Sequence, residues 1–421
     1  MQLLRHRFSF IELMFCVTIC TFFFSQYATG VPVLGSIFQA MERYKIKYIL
    51  SFILAGMTLV GISKRKEFYY KREIALLFGN VFILVAVSVI YQVINGFHGD
   101  TFNEAMYFIV PAILVFALVN HERGNIKKYI DFMFYLSWIC FFTQMFDAAT
   151  STRIASGRIV IDFIDSYSPF ESGLAFFAVV FVFFYTFTGE KRKRNFSFIL
   201  CVLSLKRMSF IFSILFILIG KRMANLKVNR LVCTAIFCLI PFAFYLVCND
   251  NVALEFYRIT GLNLNQFMMG RFDFINLLVD NSTQIKYGLG SCRAFLSHYY
   301  QIYYNTVGLV DVYDPHNDIL RFFLECTILG SFSLAASHFF LTSGKTCSTI
   351  LLLYIFIECC FNHLFGAGNT AYWVLVYLVV FYIDGHQMPD SMCNRKLSDL
   401  PIAPPFSQDL IKRDGCRSGG I

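Results

Sequence analysis

Charge is scarce in this chain. Only 15% of its 421 residues are Asp, Glu, Lys or Arg, while 57% are hydrophobic. A soluble fold of that length has no use for so much apolar surface, because a single core stops growing well below it. A paired-cysteine framework is also missing. The chain has 14 Cys but no CxxC pair, and most lie inside apolar runs, as Cys16, Cys20, Cys140, Cys233, Cys238, Cys359 and Cys360 do. They read as small buried hydrophobes; only Cys292 falls plainly in a large polar loop. No HExxH, GxSxG or Cys/His metal spacing occurs. Ser343-Gly344-Lys345-Thr346 mimics the end of a phosphate-binding loop, but the earlier glycine is absent, since position 339 is Phe. There is no internal repeat. The first apolar run follows Arg5 and Arg7 as in a signal peptide, yet no small-residue cleavage site follows it, so it reads as a first span.

What is present is long apolar runs separated by short basic clusters, the pattern of a polytopic membrane protein. The runs cover about 8–26, 48–62, 74–94, 104–119, 129–146, 173–188, 195–205, 208–220, 231–248, 318–341, 349–362 and 370–383. The expected fold is therefore all-α, an integral membrane protein of about twelve transmembrane helices, with a large external loop between the ninth and tenth. Residues 1–383 form the membrane domain, 249–317 the external loop, and 384–421 a polar, disordered cytoplasmic tail. The 51 Phe and 23 Tyr suit lipid-facing and interfacial positions. A net charge of +9 could suggest nucleic acid, but the basic residues sit between apolar runs, where control of topology accounts for them.

Charge asymmetry sets the sidedness. With the N-terminus inside, 24 of the 36 Lys and Arg fall inside, 11 fall outside, and Arg321 lies within a span. Both termini are then cytoplasmic. Basic clusters at 191–194 and 221–230 both belong inside, so the chain between them must enter the membrane and return. Two arms of 11–13 residues reach only about 17–20 Å against about 30 Å of hydrocarbon. The turn Ser204-Leu205-Lys206-Arg207 is thus expected in the outer half of the membrane, where cations need a water-filled cavity or an anion.

The most informative stretch is Asp314-Pro315-His316-Asn317-Asp318, which opens the tenth run and continues to Arg321, Glu325 and Gly330. Asp314, Asn317 and Asp318 could cap the helix, and Pro315 suits a helix start. Capping does not call for His316, and an imidazole at a membrane boundary suits general-base work. Arg321 and Glu325 are four apart on one face, which favours a self-neutralising intramembrane pair, with Glu358 a possible third member; Glu12 is unexplained. Arg207 and Arg271 are the anion-binding candidates, since guanidinium matches phosphate oxygens bidentately. Arg258, Arg153 and Arg158 come next, with Lys206 beside Arg207. Residues 271–279 have the spacing of an interfacial amphipathic helix. Asp162 with Asp165 and Asp311 with Asp314 are pairs too common in loops to indicate a metal.

Four features together resemble the bacterial O-antigen polymerase and ligase superfamily. They are the His316-Asn317-x-x-Leu320-x-x-x-x-Glu325-x-x-x-x-Gly330 run, Gly270-Arg271 followed by Gly288-Leu289-Gly290, the Ser204–Arg207 turn, and about twelve spans with one late external loop. The usual Pro before Gly-x-Gly is replaced by Ile285-Lys286-Tyr287. The resemblance implies a metal-independent glycosyltransferase of the bacterial cytoplasmic membrane, without a cofactor, whose site faces outward. Its donor and acceptor would be undecaprenyl-pyrophosphate-linked glycans, with a chain-length regulator as a further partner and no nucleic acid. Arg207 and Arg271 would grip the pyrophosphate and His316 would activate the acceptor hydroxyl. Lys206, Arg258, Asn317, Arg321, Glu325, Arg153 and Arg158 would contribute to substrate binding. Asp318 with Arg321 favours a polymerase; a ligase to lipid A-core and a flippase for lipid-linked sugars remain alternatives.

Overall fold

The structure is a computed structural model. It describes most of the span from Phe10 to Gly385; the main stretches it leaves out are 1–9, 28–36, 97–100, 122–125, 151–172, 305–315 and 386–421, with some shorter pieces of connections. Everything regular among the described residues is helix, and none of it is strand. The proposed tail, apart from Asp384 and Gly385, lies outside the described residues.

Each of the twelve apolar runs coincides with a helix. The first nine are α1 (Phe10–Tyr27), α2 (Ile46–Arg65), α3 (Lys71–Asn95), α4 (Thr101–His121), α5 (Ile126–Thr150), α6 (Leu174–Thr188), α7 (Lys191–Leu203), α8 (Arg207–Ile219) and α9 (Arg230–Val247). The segment between the ninth and tenth runs, expected to be external, holds α10 (Asp250–Thr260), α11 (Leu264–Phe267), α12 (Arg271–Asp280) and α13 (Ser291–Tyr304). Then come α14 (Asp318–Leu341), α15 (Thr346–Cys359) and α16 (Thr370–Gly385). Among the described residues, six helices have the length and composition of membrane spans: α1, α2, α3, α4, α9 and α14. Helices α6, α8, α15 and α16 are apolar but shorter.

Burial sorts the helices. The whole stretch from Leu174 to Tyr185 of α6 is enclosed, as is nearly all of α4 and α16. A helix apolar all round belongs in the middle of a bundle. Around them, α2, α3, α8 and α9 leave large apolar side chains uncovered, among them Phe52, Phe82, Val93, Leu218 and Leu246. In water that would be a liability; against lipid it is the expected outer face.

One boundary differs from the sequence reading. Helix α7 begins at Lys191, not near 195, because Gly189 takes a left-handed φ of 78° that closes α6 and lets the chain turn within two residues. The basic cluster 191–194 is therefore the first turn of a helix. Near the same cluster Lys128 Nζ donates to Glu12 Oε1 at 2.9 Å, which accounts for the buried Glu12.

Helix α14 is broken at Thr327, whose φ of 60° and ψ of −173° are not helical. The break frees the Glu325 carbonyl, which accepts from the Gly288 N–H at 2.7 Å. The adjoining Leu289 N–H donates to Ser88 Oγ at 2.8 Å, and its carbonyl accepts from Thr101 Oγ1 at 3.1 Å. Gly288-Leu289-Gly290 thus pins the external segment to α3, α4 and α14. Gly288 is required there: its φ is 122°, and a Cβ would lie 2.8 Å from Gln92 Cγ. Gly330 is set by the same break, for a Cβ there would meet that of Cys326 at 2.2 Å. Under this anchor Phe272, Ile275 and Leu278 of α12 join Cys292, Leu296, Leu320 and Leu324 in a second apolar cluster, so the external segment has a core of its own.

Gly288→Ala is expected to cost about 1–3 kcal/mol through the strained φ and the Gln92 contact. A lower melting temperature of the purified protein in detergent, with an unchanged one for Gly56→Ala in open space, is the predicted result.

Candidate functional site

The connection from α15 to α16 is the hinge of the site. Helix α15 ends at Cys359, and the next residues are held rigidly. Trp373 Nε1 donates to the Leu364 carbonyl at 2.9 Å, and the Phe365 ring stacks on Trp373 with centroids 4.0 Å apart. Asp318, in the first turn of α14, clasps the same connection. Its Oδ2 accepts from the N–H groups of Leu364 at 2.6 Å and Phe365 at 2.8 Å, and its Oδ1 lies 2.8 Å from His363 Nδ1. When Nδ1–H donates to that carboxylate, Nε2 is left as the acceptor nitrogen of the ring.

Two polar clusters meet here. The first is fully enclosed. Arg321 is 2% exposed and its Nη2 donates to Glu104 Oε2 at 3.0 Å. Its Nη1 lies 3.6 Å from Asp318 Oδ1 and 3.0 Å from His363 Nδ1, and its Nε lies 3.4 Å from Glu325 Oε2. Arg293 from α13 approaches Glu104 Oε1 at 4.0 Å. Three carboxylates thus surround the Arg321 guanidinium, an arrangement tolerable away from water only because each charge has opposite partners. Glu325 also accepts from the Cys292 N–H at 3.2 Å. Cys292 is itself buried; burial, with Glu325 nearby, pushes its thiol well above the usual range.

The second cluster is cationic at its edge. Arg271, the first residue of α12, donates through Nη2 to Asn362 Oδ1 at 3.3 Å, and Asn362 Nδ2 donates to Glu358 Oε2 at 2.6 Å. The charges of Lys206 and Arg271 both bear on the Glu358 carboxylate. Lys206 Nζ also lies 4.8 Å from the centre of the Phe176 ring. Arg271 of α12 is thereby linked through Asn362 to Glu358 of α15, and Asn362 and His363 are adjacent links to the two clusters.

His316 lies two residues before Asp318. It is half-buried and left-handed, with φ 40°. Asn317 caps α14: its Oδ1 accepts from the Leu320 N–H at 3.0 Å, the capping role weighed for it in the sequence. Its Nδ2 is buried and has no acceptor among the described residues.

The expected residues divide accordingly. Arg271 reaches the α15–α16 connection through Asn362, and His316 and Asn317 directly precede the Asp318 that clasps it. Arg321 and Glu325 do sit on one face as a pair, but Glu104, 217 positions earlier, gives Arg321 its shorter contact. Arg207, the first residue of α8, is exposed in the fold, while Lys206 before it is half-buried. Lys206 precedes the helix with extended backbone (φ −85°, ψ 114°), so the helical direction begins only with Arg207. Arg258 pairs with Glu255 of its own helix at 3.2 Å, both well exposed. Arg153, Arg158, Asp162, Asp165, Asp311 and Asp314 lie outside the described residues. Glu104, Asn362 and His363 escaped the sequence reading. Asn362-His363 interrupts an apolar run whose end was set at 362, and that polar pair followed by glycine was the available signal. Among the described residues no three His, Cys, Asp or Glu are placed to share a metal ion.

No family model matches the chain, and no solved structure matches it. Over 102 residues it is 29% identical to a GDSL esterase/lipase of Arabidopsis thaliana, which is 24% of this chain. The chain spans about a quarter (27%) of the length of that curated relative.

Arg321→Met would leave three buried carboxylates facing one another. It is expected to destabilise the fold by about 3–5 kcal/mol, whereas a double change of Arg321→Met with Glu104→Gln recovers part of that loss. Denaturation of the purified protein in detergent measures both; equal loss in single and double variants would contradict the pairing.

Proposed function

We propose that this chain is a membrane glycosyltransferase of the O-antigen polymerase and ligase type, and within that class a polymerase. It would transfer a growing glycan from undecaprenyl pyrophosphate to another lipid-linked repeat unit. The observation that carries this reading is the reach of Arg271 to Asn362, next to the His363 that Asp318 holds, with Asp318 two residues from His316. Transfer of a glycan from such a donor breaks a sugar–phosphate bond and expels a diphosphate. Fixed cations beside the breaking bond are worth most when water is excluded. In this reading Arg271 and Lys206 take the diphosphate, with the exposed Arg207 at the head of α8 guiding it in. His316 takes the proton of the attacking hydroxyl as the new glycosidic bond forms. Asn317 Nδ2 offers a buried donor to the acceptor sugar. His363 is a second imidazole of the same site, oriented by Asp318 as a base must be.

The setting proposed is a bacterial cytoplasmic membrane crossed about twelve times. Both termini would be cytoplasmic and the site would face outward. The lipid-facing helices would admit the polyprenyl tail. A transporter for the same lipid is the competing reading; it would draw on Lys206, Arg207 and Arg321 as cavity cations.

Alanine replacement of Arg271 or His316 is expected to lower polymer formation about 10²–10³-fold, the scale of one lost electrostatic or acid–base contribution. Surface polysaccharide on a gel would show a single repeat unit on the core where the parent strain shows a ladder. Bare core with accumulated lipid-linked polymer would indicate a ligase. Full ladders in normally expressed Arg207→Ala, Arg271→Ala and His316→Ala variants would overturn the assignment. Loss in His363→Ala alone would move the base to that residue. Purified protein lengthening a synthetic lipid-linked glycan in detergent, where no gradient exists, would exclude the transporter.

A further inference from the structure

Away from this site, a cleft of about 790 Å³ opens between α5 and α7. That volume lies within the range of sites that hold a small molecule. Phe134, Tyr135, Trp138 and Phe142 line one wall, spaced so that they share one face of α5. Phe196 of α7 closes the cleft opposite, its ring 6.2 Å from that of Trp138 and nearly perpendicular to it. The mouth is formed by the α6–α7 corner, from Gly189 to Lys193.

Charge is uneven around that mouth. Lys193 Nζ lies 2.8 Å from Asp131 Oδ2 and 3.2 Å from Glu190 Oε2, while Lys127 Nζ lies 2.8 Å from Glu190 Oε1 and 3.4 Å from Asp131 Oδ2. These two cations and two carboxylates neutralise one another. Lys191 and Arg192 are exposed, and neither has an ion pair among the described residues. Both stand in the first turn of α7, the end of a helix where cations are disfavoured and an anion is held. The indole N–H of Trp138, in the aromatic wall, is buried with no acceptor among the described residues.

The cleft is therefore polar at one end and aromatic along its depth. From the level of Asp131 to that of Phe142 is eleven residues of α5, about 16 Å of helix. Half the hydrocarbon thickness of a bilayer is about 15 Å. We propose that this cleft binds a single anionic glycerophospholipid from the leaflet it faces. The phosphate rests between Lys191 and Arg192, and one acyl chain lies along Trp138 and Phe142. Two uncompensated cations favour a headgroup with net negative charge over a zwitterion, whose ammonium they would repel. Basic pockets between spans are recognised sites for such headgroups. A depth of one leaflet matches an acyl chain and falls short of a polyprenyl chain, which selects the glycerophospholipid over a polyprenyl phosphate.

The chain's two tryptophans make the test direct. Trp373 is 1% exposed inside the bundle, so a quencher carried on lipid acyl chains reports on Trp138. The full chain in detergent is titrated with phosphatidylglycerol or phosphatidylcholine bearing brominated acyl chains. Phosphatidylglycerol is expected to quench at far lower concentration. Lys191→Gln with Arg192→Gln should weaken its apparent affinity about 10–30-fold, while exchanging the two cations (Lys191→Arg with Arg192→Lys) should preserve it. Both positions are exposed, so the variants are expected to show the parent's emission before lipid is added. Equal quenching by the two lipids, or an unchanged titration in the Gln variant, would overturn the proposal. Displacement of brominated phosphatidylglycerol by undecaprenyl phosphate more readily than by unbrominated phosphatidylglycerol would overturn the choice of ligand.

Discussion

The buried Arg321 guanidinium sets the terms for the rest of the fold. A single cation at that depth is intolerable alone and must be surrounded. Glu104 comes from α4, Asp318 and Glu325 from α14 itself, and Arg293 from the external segment reaches the far side of Glu104. Three parts of the chain are thereby required to meet at one point. Asp318 passes the constraint on, because the same carboxylate that faces Arg321 also holds His363 and two backbone N–H groups of the α15–α16 connection. The position of the candidate site thus follows from an electrostatic need inside the bundle.

A second constraint acts alongside it. The break at Thr327 leaves a carbonyl that a spanning helix cannot leave unpaired, and the external segment supplies the missing donor through Gly288. That bond, with the Cys292 N–H on the Glu325 carboxylate, holds the start of α13 against α14. Arg271 stands at the start of α12, whose apolar face shares a cluster with Leu320 and Leu324 of α14. Its reach to Asn362 therefore rests on the packing of the external segment as a whole. A charge network and a broken helix together bring Arg271 to the end of α15.

Much of this architecture was legible in the chain, and the reasons are local. Apolar runs mark helices because backbone groups have no other partner in lipid. Helix α14 was readable from its first residue, since Asn317 carries the capping side chain its position requires. The Arg321–Glu325 pairing follows from helical spacing alone. What escaped is what depends on distance along the chain. Nothing near Arg321 announces Glu104, and nothing near Arg271 announces Asn362. Of the four helices of the external segment one is visible in the sequence, because helices of 4 to 14 residues offer few turns in which a period can repeat. Lys206 and Arg207 are a finer case: the turn was evident, but which of two adjacent cations is the more buried depends on where α8 begins.

The account stands on Lys206, Arg271 and the imidazoles forming one place where a diphosphate binds. A polyprenyl pyrophosphate analogue with a photoreactive group on its diphosphate end tests this most directly. Irradiated with the purified protein and mapped by peptide mass spectrometry, it is predicted to label the start of α12, the Ser204–Arg207 turn and residues 360–366, with labelling lost in Arg271→Ala. Labelling confined to other segments, or undiminished in that variant, would contradict it.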